Sequence, residues 1–340
     1  MKPLLLIAAL ALGLVSGSVG AATWKIATIS PDGLAWMKQF RSSAQQLAEQ
    51  TDGRVRIKIY PGGVQGDDAT VLRKMRIGQL HGGVVAAGAL TRFYPDLQIY
   101  NLPLQFRDYA EVDHVRKKLD QMIADNLQAA GMVTFAFTET GFAYLLSKRR
   151  VSTVADLKQV KAWIPDGDPI AAELVKAFDV SPIPLNITDV LAGLQTGLID
   201  TVVAPPVVAL ALQWHDQVDF MLDLPLLYIY STLAVDRKVW RKVSRDDQRL
   251  VRQEMKELFT QVAADTRVDA KKAFAALQTV GIEMVQAGKL DEWRRVADQS
   301  IKGLVASGEI TPEAVQLYLD ELRSYRSARS AGNNRDGASP

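Results

Sequence analysis

Apolar runs and helix-period segments alternate near the N-terminal end of the chain. A short apolar run opens at Trp24, an apolar stripe with helical spacing follows over residues 34–47, and apolar residues then alternate with charged ones over residues 55–59. A strand, a helix and a second strand in this order predict a βαβ unit with a parallel sheet.

The middle of the chain repeats this alternation. An amphipathic helix is predicted over residues 109–130, leading into a strand over residues 132–137, and apolar runs alternate with helical segments again over residues 161–203. Asp168, followed by a proline, is predicted to cap a helix rather than to form an acid–base pair with Asp166. The pattern therefore predicts two α/β regions.

The C-terminal third is predicted to be mostly helical. Ser244, with Asp247 three residues later, resembles a capping box, and apolar residues keep helical spacing over residues 251–277. At about 1.5 Å per residue this helix could exceed ~50 Å, enough to lie across two lobes. A last helix is predicted from Thr311. The Ser-, Arg-, Ala- and Gly-rich residues 327–340 predict a disordered tail.

Length and pattern together predict two lobes. A chain of 340 residues is longer than a single core ordinarily supports. We place the first lobe over residues 23–146 with about 226–265, and the second over residues 147–225 with about 266–326. The predicted fold class is therefore α/β, with parallel or mixed sheets flanked by helices and a long helix spanning both lobes.

The N-terminus predicts export. Lys2 precedes an apolar run over residues 3–15, too short to span a membrane, and small residues follow up to Ala21 and Ala22. We interpret residues 1–22 as a secretory signal peptide and expect a bacterial periplasmic protein; a buried N-terminal helix fits the basic start and small-residue end less well. The sequence contains no cysteine, so we expect neither disulfides nor an N-terminal lipid anchor.

Residues that could carry catalysis or hold a metal are few. His81, His114 and His215 lie far apart in the sequence, and none has ligand spacing to another. Without a cysteine nucleophile or a candidate triad, we expect no catalysis, no metal site and no cofactor. The formal net charge of +2 gives no electrostatic reason to expect a nucleic-acid partner.

Several segments, in their order and spacing, resemble one transport family. They include Asn-Leu-Pro-Leu at 101–104, Glu-Thr-Gly-Phe at 139–142, Lys-Ala-Trp-Ile-Pro at 161–165 and Leu-Gln-Thr-Gly-Leu-Ile-Asp at 194–200. The chain resembles the solute receptors of tripartite ATP-independent periplasmic (TRAP) transporters of the dicarboxylate-transport type. The resemblance implies a two-lobed periplasmic-binding-protein fold with a hinge, which encloses a small ligand and delivers it to membrane permease subunits.

Three positions depart from the family pattern. The resemblance implies two arginines and an asparagine as ligand contacts, and this chain has Ala143, Trp163 and Ala204 there. A carboxylate buried without its partner costs several kcal/mol, whereas burying about 200 Å² of apolar ligand gives on the order of 5 kcal/mol before the cost of association. We therefore expect an apolar or amphiphilic ligand rather than a simple dicarboxylate.

Two groups of residues are candidates for the ligand site. The apolar group comprises Phe142, Ala143, Tyr144, Trp163, Ile187, Val203, Ala204 and Trp214. Strand alternation alone favours packing for Trp163, and in that case Lys161 or Arg92 could supply the cation of a conventional organic-acid receptor. A further alternative is a periplasmic carrier of a lipid-like molecule that works without a TRAP permease. We expect the protein to act as a monomer.

Overall fold

The computed structural model of the protein describes residues 22–336. The predicted signal peptide, apart from Ala22, and residues 337–340 of the predicted tail lie outside the described residues. The strands are β1 Ala22–Thr28, β2 Val55–Tyr60, β3 Gly82–Ala86, β4 Met132–Ser147, β5 Trp163–Pro165, β6 Ile183–Leu185, β7 Thr201–Ala204, β8 Phe220–Leu222, β9 Leu227–Asp236 and β10 Glu283–Val285. The helices are α1 Ala35–Gln50, α2 Asp68–Arg76, α3 Tyr109–Ala129, α4 Pro169–Ala177, α5 Val190–Thr196, α6 Pro206–Ala211, α7 Arg237–Trp240, α8 Arg245–Thr279, α9 Leu290–Ala306 and α10 Pro312–Asp336.

The first lobe contains a mixed sheet. Its strands follow the order β2, β1, β3, β9 and the N-terminal part of β4. β1 pairs in parallel with β2 and β3, as the predicted βαβ unit requires, and β9 runs antiparallel to β3 and β4. The predicted α/β class with a mixed sheet and flanking helices is confirmed.

A single strand, β4, continues from the first lobe into the second. Its residues up to Ala143 pair with β9, whereas Tyr144 and the residues after it pair with β7 and β8. The pairing with β9 shifts register between Glu139 and Gly141, and Gly141 has a φ of 111°, a conformation that favours glycine. The second lobe is completed by β10 beside β8 and by the two-stranded sheet of β5 and β6.

Helix α8 contacts both lobes, as predicted. It has 35 residues and is therefore about 50 Å long. Met255 and Phe259 pack in the first lobe with Trp24 and Phe40, whereas Leu277 packs in the core of the second lobe. None of the helices described for residues 22–336 is both long and apolar enough to cross a membrane.

The C-terminal helix α10 corrects two predictions. It continues to Asp336, so residues 327–336 are helical and not a disordered tail, and it packs on the first lobe although we assigned residues up to 326 to the second. Arg326 donates to Glu111 on α3 at 2.7 Å, and Arg329 donates to Asp108 at 2.8 Å. Apolar residues of α10, including Tyr318, lie in the same core cluster as residues of α3. These contacts attach the helix to α3.

Candidate functional site

The loops after the first strands lie side by side at one edge of the first-lobe sheet. The carboxyl ends of parallel strands share this edge, where ligands of open α/β sheets commonly bind. Backbone hydrogen bonds from Gly62 to Ser30 (2.8 Å) and from Gly63 to Thr28 (3.1 Å) join the loop after β2 to the end of β1 and the loop that follows it.

Asp68 places a carboxylate at the same edge. It is the first residue of α2, and its Oδ2 accepts a hydrogen bond from the backbone N–H of Ala86, the last residue of β3, at 2.9 Å. Its other oxygen, Oδ1, is buried and has no hydrogen-bond partner. Burial raises the pKa of Asp68 to about 6, because the charged form loses its hydration.

The second lobe contributes Asp168 to the contact between the lobes. Its Oδ1 accepts from the N–H groups of Ile170 (3.0 Å) and Ala171 (3.1 Å), which confirms the predicted helix cap. The same oxygen accepts a hydrogen bond from Nε2 of Gln98 in the first lobe at 3.1 Å. Burial raises the pKa of Asp168.

Gly88 lets the two lobes come this close. A Cβ atom at this position would lie 2.9 Å from Asp168 Oδ2 and 2.9 Å from Gln98 Nε2, closer than side chains normally approach. The lobes also approach each other at Gly63 of the first lobe. A Cβ atom added there would lie 3.7 Å from Cγ2 of Thr188 in the second lobe. We call Asp68, residues 86–88, Gln98 and Asp168 the lobe junction.

Five of the predicted site residues come together in the core of the second lobe. Trp163 is 8% exposed, its Nε1 donates to the carbonyl of Leu185 at 3.0 Å, and its ring lies edge-on to Trp214 with 5.3 Å between ring centres. This contact supports the packing interpretation of the strand pattern. The five that share the cluster are Tyr144, Trp163, Ile187, Ala204 and Trp214.

The other three apolar candidates lie elsewhere. Ala143 is fully buried within β4. Phe142 belongs to the first lobe, where its ring packs edge-on against Tyr109 (5.0 Å) and Tyr228 (5.6 Å). Val203 packs in a different cluster, beside residues such as Leu145 and Trp293. The eight residues therefore do not converge on one surface, and their role as ligand contacts stays a prediction.

Neither of the two candidate cations bonds to the lobe junction. Lys161 is exposed, and its Nζ donates to the carbonyl of Gly197 at 3.0 Å. Arg92 is also exposed, and its guanidinium carbon lies 4.8 Å from the ring centre of Phe93. These positions give no support to either side chain as a replacement for the two arginines that the family resemblance implies.

An ion pair that sequence reasoning missed lies where β4 leaves the first lobe. Arg267 of α8 donates to both carboxylate oxygens of Glu139, at 2.8 and 2.5 Å, and to Asp113 of α3 at 2.9 and 2.5 Å. The side chain of Glu139 is 1% exposed. These hydrogen bonds raise the pKa of Arg267 and tie α8 to α3 and β4 beside Gly141. We call Asp113, Glu139 and Arg267 the hinge brace.

Comparison with known proteins decides the family. The family described as bacterial extracellular solute-binding protein, family 7, matches residues 26–307. The chain belongs to this family. It is similar to the C4-dicarboxylate-binding periplasmic protein DctP of Rhodobacter capsulatus, with 23% identity over 243 residues that cover 70% of this chain and 72% of the relative.

Solved structures of TRAP periplasmic solute-binding proteins share the fold. The protein of Desulfovibrio salexigens with bound orotic acid has a TM-score of 0.81 and 19% identity, covering 89% of this chain and 99% of its own. The protein of Xanthobacter autotrophicus Py2 with bound β-D-galacturonate has a TM-score of 0.81 and 18% identity, covering 88% and 99%.

The protein is thus a TRAP periplasmic solute receptor, a transport protein and not an enzyme, as predicted. Within residues 22–336 no group of His, Asp and Glu side chains is arranged to hold a metal ion.

Proposed function

We propose that the receptor encloses one small ligand at the lobe junction and delivers it to the membrane permease subunits of its transporter. The close approach of the two lobes at Gly88 carries this proposal, because it joins the first-lobe strand edge to the cap of α4 in the second lobe. We further propose that the mature protein works in the periplasm after removal of the signal peptide.

We also propose that the ligand is held without the arginine pair that the family resemblance implies. Trp163 packs against Trp214 in a core, Ala143 is fully buried, and neither Lys161 nor Arg92 bonds to the junction. A carboxylate enclosed there would lack its ordinary partner, at a cost of several kcal/mol. The bound molecules named for the related structures are orotic acid and galacturonate, and they lend no support to the apolar ligand that the sequence led us to expect.

Native mass spectrometry of gently purified mature protein tests the location of the site. We expect one small molecule per chain in the wild type. In Gly88→Ala, the added Cβ would push against Asp168 and Gln98, so the lobes should close poorly and most of the bound molecule should be lost.

Gly33→Ala is the matched control, because a Cβ there would meet nothing within 4 Å. It should retain the molecule as the wild type does. Equal retention by Gly88→Ala and the wild type would place the ligand away from the lobe junction.

A further inference from the structure

The first half of β4 forms a free edge of the first-lobe sheet. Among the described residues 22–336, residues 132–139 pair with β9 on one side and with no strand on the other, because β7 and β8 pair only with residues 144–147. The backbone N–H and C=O groups that point away from β9 therefore belong to no ladder. A strand edge of this kind can accept an additional strand.

Helices α3 and α8 lie on opposite faces of this sheet, with the free edge between them. Leu119 of α3 shares a core cluster with Ala234 of β9. Met255 of α8 shares a different cluster with Val235, the next residue along β9. Because successive residues of a strand point to opposite faces, the space between the two helices follows the edge of the sheet.

A groove of about 790 Å³ occupies this space. It is lined by α3, by α8 and by four consecutive residues of β4, 134–137. Only alternate residues of a strand share a face, so a groove bordered by four residues in a row runs along the strand edge. Arg116 of α3 donates to the carbonyl of Phe137, so groups inside the groove can bond to the backbone of this strand. We call this space the edge groove.

The dimensions of the edge groove fit a short extended segment. Its α3 wall runs from Asp113 to Gln128, which is about 22 Å at 1.5 Å per residue. An extended segment of about six residues spans about 20 Å. A second copy of this chain cannot insert its own β4, because that strand lies between the same two helices. The geometry therefore favours a flexible segment over a folded strand edge.

The charges of the edge groove favour an acidic segment. Two arginines and three carboxylates that line it form ion pairs with one another: Arg116, Arg267, Asp113, Asp120 and Glu139. The other charged groups that line it are three cations and one carboxylate: Lys117, Arg252, Lys256 and Asp125. This surplus of cations complements acidic side chains.

We propose that the edge groove binds an extended, acidic segment of a partner protein, about six residues long, which adds to β4 as a further strand of the first-lobe sheet. The backbone of the segment pairs with the free edge, and its acidic side chains meet Lys117 and Lys256 on the two walls. The edge groove shares no residue with the lobe junction, so this inference goes beyond the proposed function and does not depend on it.

A phage-displayed library of random dodecapeptides is the probe, selected on the immobilised mature protein. The most strongly enriched peptides are then synthesised, and their affinities are measured by fluorescence anisotropy. We expect acidic peptides that bind more weakly as the salt concentration rises, because salt screens exposed charges. A version N-methylated at alternate residues lacks the N–H groups that a ladder requires, so its affinity should fall at least about tenfold.

Two variants test whether the peptides bind in the edge groove. Ala264 is an exposed residue of α8 that lines the groove, and Ala264→Trp should fill the space and lower the affinity at least about tenfold. Lys256→Glu should lower it about threefold or more through like charge. Ala275→Trp and Lys271→Glu are the matched controls, because both change exposed positions of the same helix that do not line the groove. Both controls should bind as the wild type does.

Each outcome decides the inference. Acidic peptides whose binding is weakened by Ala264→Trp, by Lys256→Glu and by N-methylation, but by neither control, support it. It is overturned if the selection enriches no peptide, if the enriched peptides are basic or neutral, if Ala264→Trp binds them as well as the wild type, or if N-methylation leaves the affinity unchanged. None of these results bears on ligand capture at the lobe junction, which the mass spectrometry of Gly88→Ala tests separately.

Discussion

Replacing Trp163 by alanine distinguishes a core indole from a ligand-binding indole. Trp163 is 8% exposed, lies edge-on to Trp214 and donates a hydrogen bond to the carbonyl of Leu185. Truncating a buried tryptophan costs about 3–5 kcal/mol. Within this total, the aromatic pair contributes about 1 kcal/mol and the hydrogen bond about 1 kcal/mol. We therefore expect Trp163→Ala to lower the free energy of unfolding of the ligand-free protein by about 4 kcal/mol.

Urea unfolding of ligand-stripped protein, followed by circular dichroism, measures this loss. Leu198→Ala is the control in the same lobe, because Leu198 is 50% exposed and exposed positions usually change stability by less than about 0.5 kcal/mol. If Trp163→Ala lost no more stability than this control yet captured ligand differently, the indole would be a ligand contact and the packing interpretation would be wrong.

Two further predictions concern charged groups. Arg267→Met leaves the buried Glu139 carboxylate without its bidentate partner, so the free energy of unfolding measured in urea should fall by about 3 kcal/mol. The control Arg294→Met removes a largely exposed ion pair and should lower it by less than about 1 kcal/mol. Equal losses in the two variants would contradict the role of the hinge brace. Because the pKa of Asp68 is raised from 3.8 to about 6, the contribution of this carboxyl group to the free energy of unfolding should be complete below about pH 4. That contribution should be lost as the pH rises through 6. The unfolding free energy of the wild type minus that of Asp68→Asn should thus fall by at most about 3 kcal/mol between pH 4 and pH 7, and a flat difference would contradict the raised pKa.

The sequence predicted those helices and strands in which the apolar residues recur with a clear helical or strand period. The predicted helix over residues 109–130 corresponds to α3, and the spacing over residues 251–277 corresponds to α8. Strand β9 was missed in the sequence analysis. It is largely buried, with Tyr228, Tyr230 and Leu233 all enclosed, so its sequence shows a nearly continuous apolar run without polar alternation. Such a run does not by itself distinguish a strand from a buried helical segment.

Strand β4 was predicted to end at Phe137 but continues to Ser147. Gly141 interrupts the pattern, and its positive φ together with the register shift lets the strand change partners instead of ending. The tail was misjudged for a different reason. Its composition is typical of disorder, and the ion pairs of Arg326 and Arg329 with α3 are contacts that only the folded chain brings together.

The candidate site was harder to predict because its features depend on distant parts of the chain. Strand alternation favoured packing for Trp163, which its contacts with Trp214 and Leu185 support, and the expected cleft role came only from the family resemblance. Asp68 gives no sequence signal of its own, since an acidic residue in the first turn of a helix is common. Only the fold brings Ala86 to one of its oxygens and leaves the other without a partner.

The two lobes differ in how completely the polar atoms of Trp163 and Asp68 are satisfied. In the second lobe, the position that the family resemblance assigns to an arginine holds an indole whose hydrogen bond and ring contacts are satisfied within that lobe. In the first lobe, Asp68 is held in place through one oxygen but is not satisfied at the other. A buried polar group without a partner costs stability. Trp163 should therefore contribute to stability, whereas the unpartnered oxygen of Asp68 should reduce it.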